Sequence, residues 1–122
     1  MNDITLKLST PSRTIRNDKV YRVTLPSVRS NLTVIKDRAP TSIFFQNGVA
    51  SVLDSNGNAT DRYFLMAGVA DIKDNFCNVS SEMVIPFKDI TLAQAKEKGE
   101  TAPSESLKDF YNMIQMTLSN LK

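Results

Sequence analysis

Three groups of residues have types and spacings that could do chemistry. Asp71 and Asp74 lie three apart at the end of an apolar run. Two neighbouring carboxylates can divide acid and base work between them. Asn75 follows Asp74, however, and that pair reads as a turn, so both carboxylates are expected to be solvated beside it. Cys77 could attack a substrate only as a thiolate. The chain has no His to serve as its base, and Cys77 alternates with Phe76, so it reads as a small buried residue. The third group is basic. Arg13, Arg16 and Arg22 precede the stretch LPSVRSNLTVIKDRAPT, which carries Arg29, Lys36 and Arg38. A nucleic-acid surface interleaves aromatic rings with such charges. Only Tyr21 is near, so Arg13, Arg16 and Arg22 are read as solvated strand faces.

Composition excludes further classes. A net charge of +2 over 122 residues is too small to suggest a nucleic-acid partner. With no His and one Cys, the nitrogen and sulfur ligands of transition metals are missing, and no metal or other cofactor is expected. The same single Cys rules out an internal disulfide framework and fits a reducing compartment. No glycine-rich loop is available to cradle a phosphate. No apolar run reaches the roughly 20 residues that span a bilayer, and MNDITLKL reads as neither a signal nor a transit peptide. Any membrane contact is expected to run through a partner.

These residues sit on elements with two different periods. Up to about Val84 the pattern has period two: Ile4–Leu8, Val20–Leu25, Leu32–Ile35, Ile43–Phe45, Val49–Leu53, Tyr63–Met66, Val69–Ile72 and Phe76–Val79. The runs are short, and rich in β-branched or aromatic residues. Turn residues separate them, most clearly Asp54-Ser55-Asn56-Gly57-Asn58. The expected fold is mainly β: a sandwich of about eight to ten strands over residues 1–87, then a helical hairpin over 88–122. Ile90–Lys98 is rich in good helix formers, with Gly99 as its stop. Ser104 or Ser106 can cap a second helix. In that helix Leu107, Phe110, Tyr111, Ile114, Leu118 and Leu121 share one face. This apolar face must be covered, either by the chain itself or by a partner. Pattern alone therefore ends at a sandwich followed by helices, with an interaction role.

The order of motifs adds a resemblance. ITLKLSTPSRTI, with its Thr10-Pro11 turn, is similar to the first strand of the epsilon subunit of F-type ATP synthase, called delta in mitochondria. KVYRVTLP resembles that family's strand ending in V-x-L-P. Between Leu25 and Pro40 the family typically reads LPGEEGEFGVLPGHAP, and this chain lines up without a gap, matching at Leu25, Pro26, Val34, Ala39 and Pro40. Gly48-Val49 and AGVADIKDN, with Gly68, Ile72 and Asn75, follow in the family's order. Lys88-Asp89-Ile90 sits where the family enters its first helix.

The resemblance implies a non-catalytic rotor subunit that joins the gamma subunit to the membrane c ring and couples proton flow to ATP synthesis. It implies a position on the cytoplasmic face of a bacterial inner membrane, held there by the complex. Val28, Arg29, Ser30, Asn31 and Arg38 would form the ring-facing loop, with basic residues where the family has acidic ones. Leu107, Phe110, Tyr111, Ile114 and Leu118 would dock on gamma or on the sandwich. Contact with the catalytic beta subunits through the helices, with weak inhibition of ATP hydrolysis, is also implied. Some members bind ATP through I/L-D-x-x-R-A at the first helix. Thr91 and Gln94 replace the acid and the arginine here, so no such binding is expected. The alternative is a free-standing β-sandwich adaptor that binds a protein through its C-terminal helix. Under the rotor reading, Arg29→Glu is expected to lower proton-driven ATP synthesis by membranes carrying the variant. An unchanged rate would make Arg29 a solvated loop residue.

Overall fold

Ile4, Leu6 and Leu8 alternate with Thr5, Lys7 and Ser9, so a strand here must lay one face on a core. The computed structural model describes residues 3–26, 31–34 and 40–120, with the backbone alone at 31 and 32. In it that strand is β1 (Ile4–Ser9), and its three apolar residues are buried. The other strands are β2 (Thr14–Val20), β3 (Arg22–Pro26), β4 (Asn31–Val34), β5 (Thr41–Phe45), β6 (Gly48–Leu53), β7 (Ala59–Leu65), β8 (Gly68–Lys73), β9 (Phe76–Ser81) and β10 (Val84–Pro86). A 3-10 turn at Phe87–Asp89 leads to α1 (Leu92–Glu100) and α2 (Glu105–Asn120). The expected sandwich and helical hairpin are both present.

The strands form two five-stranded sheets, ordered β2-β1-β9-β8-β5 and β10-β7-β6-β3-β4. Among the described residues, only β1 and β9 pair in parallel. The sheets face each other across a core that includes Leu6, Leu8, Val23, Leu25, Leu65, Ile72, Cys77 and Val79. The run Val20–Leu25, read from sequence as one strand, is split at Tyr21: β2 lies in the first sheet and β3 in the second. Val20 and Val23 both remain buried because each points into the shared core from its own sheet.

Turn chemistry fixes the hairpins. Asp54 Oδ1 accepts the backbone N–H groups of Asn56 and Asn58 at 2.9 and 3.0 Å. Asp74 and Asn75 both take positive φ, 54° and 61°, as a two-residue turn matched to strand twist requires. Pro26 and Gly48, both part of the family resemblance, meet in space. A Cβ at Gly48 would stand 2.5 Å from the Pro26 Cβ, so only glycine fits beside that buried ring.

Arg16 departs from expectation. It is not a solvated strand residue but a bridge between the sheets. Its side chain, 17% exposed, pairs with Asp18 through two bonds of 2.7 and 2.9 Å. It also reaches across from β2 to Asp61 at 3.3 Å and to the Tyr63 hydroxyl at 3.2 Å, both on β7. Charges turned inward on an edge strand also discourage pairing with another chain. Arg22 is half-buried, with its guanidinium 5.0 Å from the Tyr21 ring centre. Arg13 is exposed, as expected.

The hydrogen bonds from Arg16 hold the Asp18 carboxyl below its ordinary value of 3.8. A carboxylate with a lowered folded pKa stabilises fully above its unfolded pKa and loses that contribution as pH falls through the folded one. Asp18→Asn is therefore expected to cost about 1 kcal/mol at pH 7, the upper range for a half-exposed pair. The difference in urea midpoint from wild type should vanish in acid, below the ordinary carboxylate range.

Candidate functional site

In a strand, successive side chains point to opposite faces. Leu65 and Phe64 of β7 therefore face opposite ways, yet both are fully buried. Leu65 enters the core between the sheets, while Phe64 enters a second core under the helices. That second core joins Phe64, Val49, Met66, Met83, Ile85 and Phe87 on the sheet side to the α1–α2 hairpin. Of the residues that the helical period grouped, Leu107, Phe110, Tyr111, Ile114 and Leu118 lie in it, and Leu121 lies outside the described residues. Phe110 and Ile114 are fully buried.

This second core contains an aromatic stack on its sheet side and a sulfur contact to α2. The Phe64 and Phe87 rings stack with centroids 4.1 Å apart and planes 10° from parallel. The Tyr111 hydroxyl donates to Met83 Sδ at 3.6 Å. Met83 is itself held by its neighbours. Its carbonyl accepts the Met66 N–H at 3.0 Å, and its N–H donates to Ser81 Oγ at 3.3 Å. Ser81 is buried, with its hydroxyl 2.6 Å from the Met66 carbonyl.

Local rules build the hairpin. Ser104 caps α2, accepting the Leu107 N–H at 3.3 Å. Gly99 does not stop α1, as the sequence suggested. It lies inside the helix, buried, because α2 passes close by: a Cβ there would meet Gln115 Nε2 at 3.1 Å and Tyr111 Cβ at 3.4 Å. The helix ends instead at Thr101, whose N–H returns to the Glu97 carbonyl. At its start, the Thr91 hydroxyl accepts the Gln94 N–H at 3.2 Å, and Gln94 Oε1 accepts the Thr91 N–H at 2.9 Å. This capping box occupies both side chains at the positions where some family members carry the ATP-binding acid and arginine. The first turn of α1 has no acidic residue.

The outer face of the first sheet is uncovered by helix. Phe44 points out from edge strand β5, 81% exposed, and Phe76 is 39% exposed. An open groove of about 610 Å³ runs past Pro11, Phe44, Phe45, Val69 and Ser80. Of the expected ring-facing residues, Asn31 begins β4 opposite Pro26. Val28, Arg29, Ser30 and Arg38 lie outside the described residues.

The catalytic candidates take other places. Asp71 accepts a 2.6 Å hydrogen bond from the Ser42 hydroxyl on the neighbouring strand, and Asp74 is in the turn. Cys77 is buried, and burial pushes its thiol up to about 12. Among the described residues no group of His, Cys, Asp or Glu could hold a metal, and no helix is long and apolar enough to cross a membrane.

A model of the β-sandwich domain of the ATP synthase delta/epsilon chain matches residues 3–87. The chain belongs to the ATP synthase delta/epsilon family. That match spans all ten strands. The ATP synthase epsilon chain of Rhizobium johnstonii is 27% identical over 104 residues, covering 85% of this chain and 76% of that one. The epsilon chain of Granulibacter bethesdensis is 26% identical over 98 residues, covering 80% and 72%. Among solved structures, a chain of the Euglena gracilis mitochondrial ATP synthase (OSCP/F1/c-ring) matches with a TM-score of 0.73 and 19% identity, covering 95% of this chain and 81% of that one. A chain of the Tetrahymena thermophila mitochondrial ATP synthase central stalk and c-ring matches with a TM-score of 0.59 and 14% identity, covering 91% and 95%. These two likenesses show a shared fold.

Sequence reasoning missed the sheet side of the seam in this family member. Its signal was the unbroken apolar run Tyr63–Met66, which a strand with one wet face would not carry. Cys77 is expected to resist iodoacetamide at pH 8 in the folded protein and to label fully once unfolded. Rapid labelling of the native chain would show that its strand opens.

Proposed function

We propose that this chain is a rotor subunit of the central stalk in an F-type proton-translocating ATP synthase. It joins the gamma subunit to the membrane c ring, so that proton-driven rotation is coupled to ATP synthesis. The observation that carries this reading is the family match over the whole sandwich. The relatives are epsilon chains, and the structural neighbours come from F1/c-ring and stalk/c-ring assemblies.

The subunit's own work is mechanical and makes or breaks no bond. Two sheets sharing one close-packed core resist shear, and Arg16 ties them at one side. Torque applied to one face is then delivered to another with little loss. The hairpin covers the outer face of the second sheet. The first sheet's outer face, with Phe44 and its groove, is left for gamma. The loop containing Val28, Arg29, Ser30, Asn31 and Arg38 faces the c ring. The complex holds the subunit on the cytoplasmic face of the inner membrane. Contact between the helices and the catalytic subunits inhibits hydrolysis only weakly, since the apolar face of α2 is already engaged on the sheet. The same burial disfavours an adaptor that would offer that face to a partner.

Affinity purification of the full chain from native membranes, followed by cross-linking and mass spectrometry, tests the reading. Gamma and c subunits are expected to co-purify, with links to gamma from Lys19 and Lys73 on the exposed first sheet. Recovery of unrelated proteins alone would overturn it.

A further inference from the structure

We infer that Met83 is a reversible oxidation site: a peroxide converts its thioether to the sulfoxide, and the added oxygen loosens α2 from the second sheet. The site is a property of the folded chain and does not depend on the stalk reading.

The thioethers are unevenly distributed. Among the described residues, Met66, Met83 and Met113 line the second core, each half-buried, and Met116 is 68% exposed on α2. The core between the sheets has no methionine among them. The side chains open to a small oxidant therefore lie on or under one helix. Cys77, the other sulfur, is buried between the sheets, where a thiol is inert.

The position of each sulfur decides what an added oxygen does. Met116 faces solvent, so water hydrates its sulfoxide. Met113 has its hydroxyl neighbour on the same helix: Thr117 Oγ1 lies 3.8 Å from its sulfur and 2.9 Å from its carbonyl. An oxygen on Met113 is answered within α2. The Met83 sulfur instead spans two elements, because it accepts the Tyr111 hydroxyl of α2 at 3.6 Å. The backbone behind it is pinned. Ser81 Oγ accepts the Met83 N–H at 3.3 Å and lies 2.8 Å from the Met83 carbonyl. That carbonyl also takes the Met66 N–H at 3.0 Å. Tyr111 is only 8% exposed.

The step balances with the peroxide as sole co-reactant. A sulfur lone pair attacks one peroxide oxygen, and the S–O bond forms as the O–O bond breaks. The other oxygen leaves as water, taking the proton of the oxygen attacked. Sulfur is oxidised by two electrons and the peroxide is reduced by two. The product replaces a flexible apolar group with a polar, chiral one. A buried oxygen must be hydrogen-bonded or it costs free energy. The Tyr111 hydroxyl can bond it only from farther away, since the new atom enters a contact already closed at 3.6 Å. The bend carrying Met83 is tied down, so α2 is the element that yields.

Limited hydrogen peroxide treatment of the full isolated chain, read by peptide mass spectrometry and hydrogen–deuterium exchange, tests this. Met116 is expected to oxidise first and to leave helix exchange within about twofold of the untreated protein. Oxidation of Met83 is expected to follow and to speed exchange in α2 about tenfold while β1, β8 and β9 stay protected. Met83→Leu, which keeps an apolar side chain of similar size, is expected to hold its helix protection through the same treatment. Methionine sulfoxide reductases acting on both epimers, with a thiol reductant, are expected to restore protection to the oxidised wild type. That readout needs no variant. Met83 left unoxidised after Met113 and Met116 have reacted fully would overturn the site. Equal loss of helix protection in Met83→Leu and wild type would overturn its control of α2. A Met83 sulfoxide that the reductases cannot remove would overturn its reversibility.

Discussion

One strand has to hide both of its faces. β7 places Leu65 between the sheets and Phe64 under the helices, and neither is exposed. Because strand side chains alternate, no twist of the sheet could bury both residues in a single core. A second layer is obligatory, and the α1–α2 hairpin supplies it. The hairpin is therefore part of the folded body rather than an appendage to it. The fold also becomes asymmetric, with one sheet roofed by helices and the other left open with Phe44 at its edge.

The polar residues that could have done chemistry are consumed in building this arrangement. Arg16 bridges the two sheets, and Ser81 pins the bend that carries Met83. Thr91, Gln94 and Ser104 satisfy helix N-termini whose N–H groups have no partner within the helix. Asp54 organises one turn, and Asp74 with Asn75 makes another. What remains is a rigid body with distinct faces, suited to passing force between subunits. The same two-sheet body is what the ATP synthase delta/epsilon family model matches.

Much of this was readable along the chain. The alternating strands, the Asp54–Asn58 hairpin, the Ser104 cap and the apolar stripe of α2 all follow from rules that act over a few residues. The family resemblance was readable too, because it rests on order and spacing: Leu25-Pro26, Ala39-Pro40, Gly48 and the Gly68–Asn75 stretch. One pair from that pattern, Pro26 and Gly48, turned out to touch.

The sequence by itself determined the period of each element, the chemistry of its turns and the absence of any His-based site. Only the tertiary structure decided which sheet each strand joined, as at the break at Tyr21. It also decided that Arg16 would meet Asp61 and Tyr63, and that Gly99 would sit inside a helix rather than end it. The reason is the range of the forces involved. Propensity, capping and turn geometry are settled by neighbours in sequence. The burial of Phe64 and the closeness of α2 to Gly99 depend on residues tens of positions away, which meet only when the layers stack.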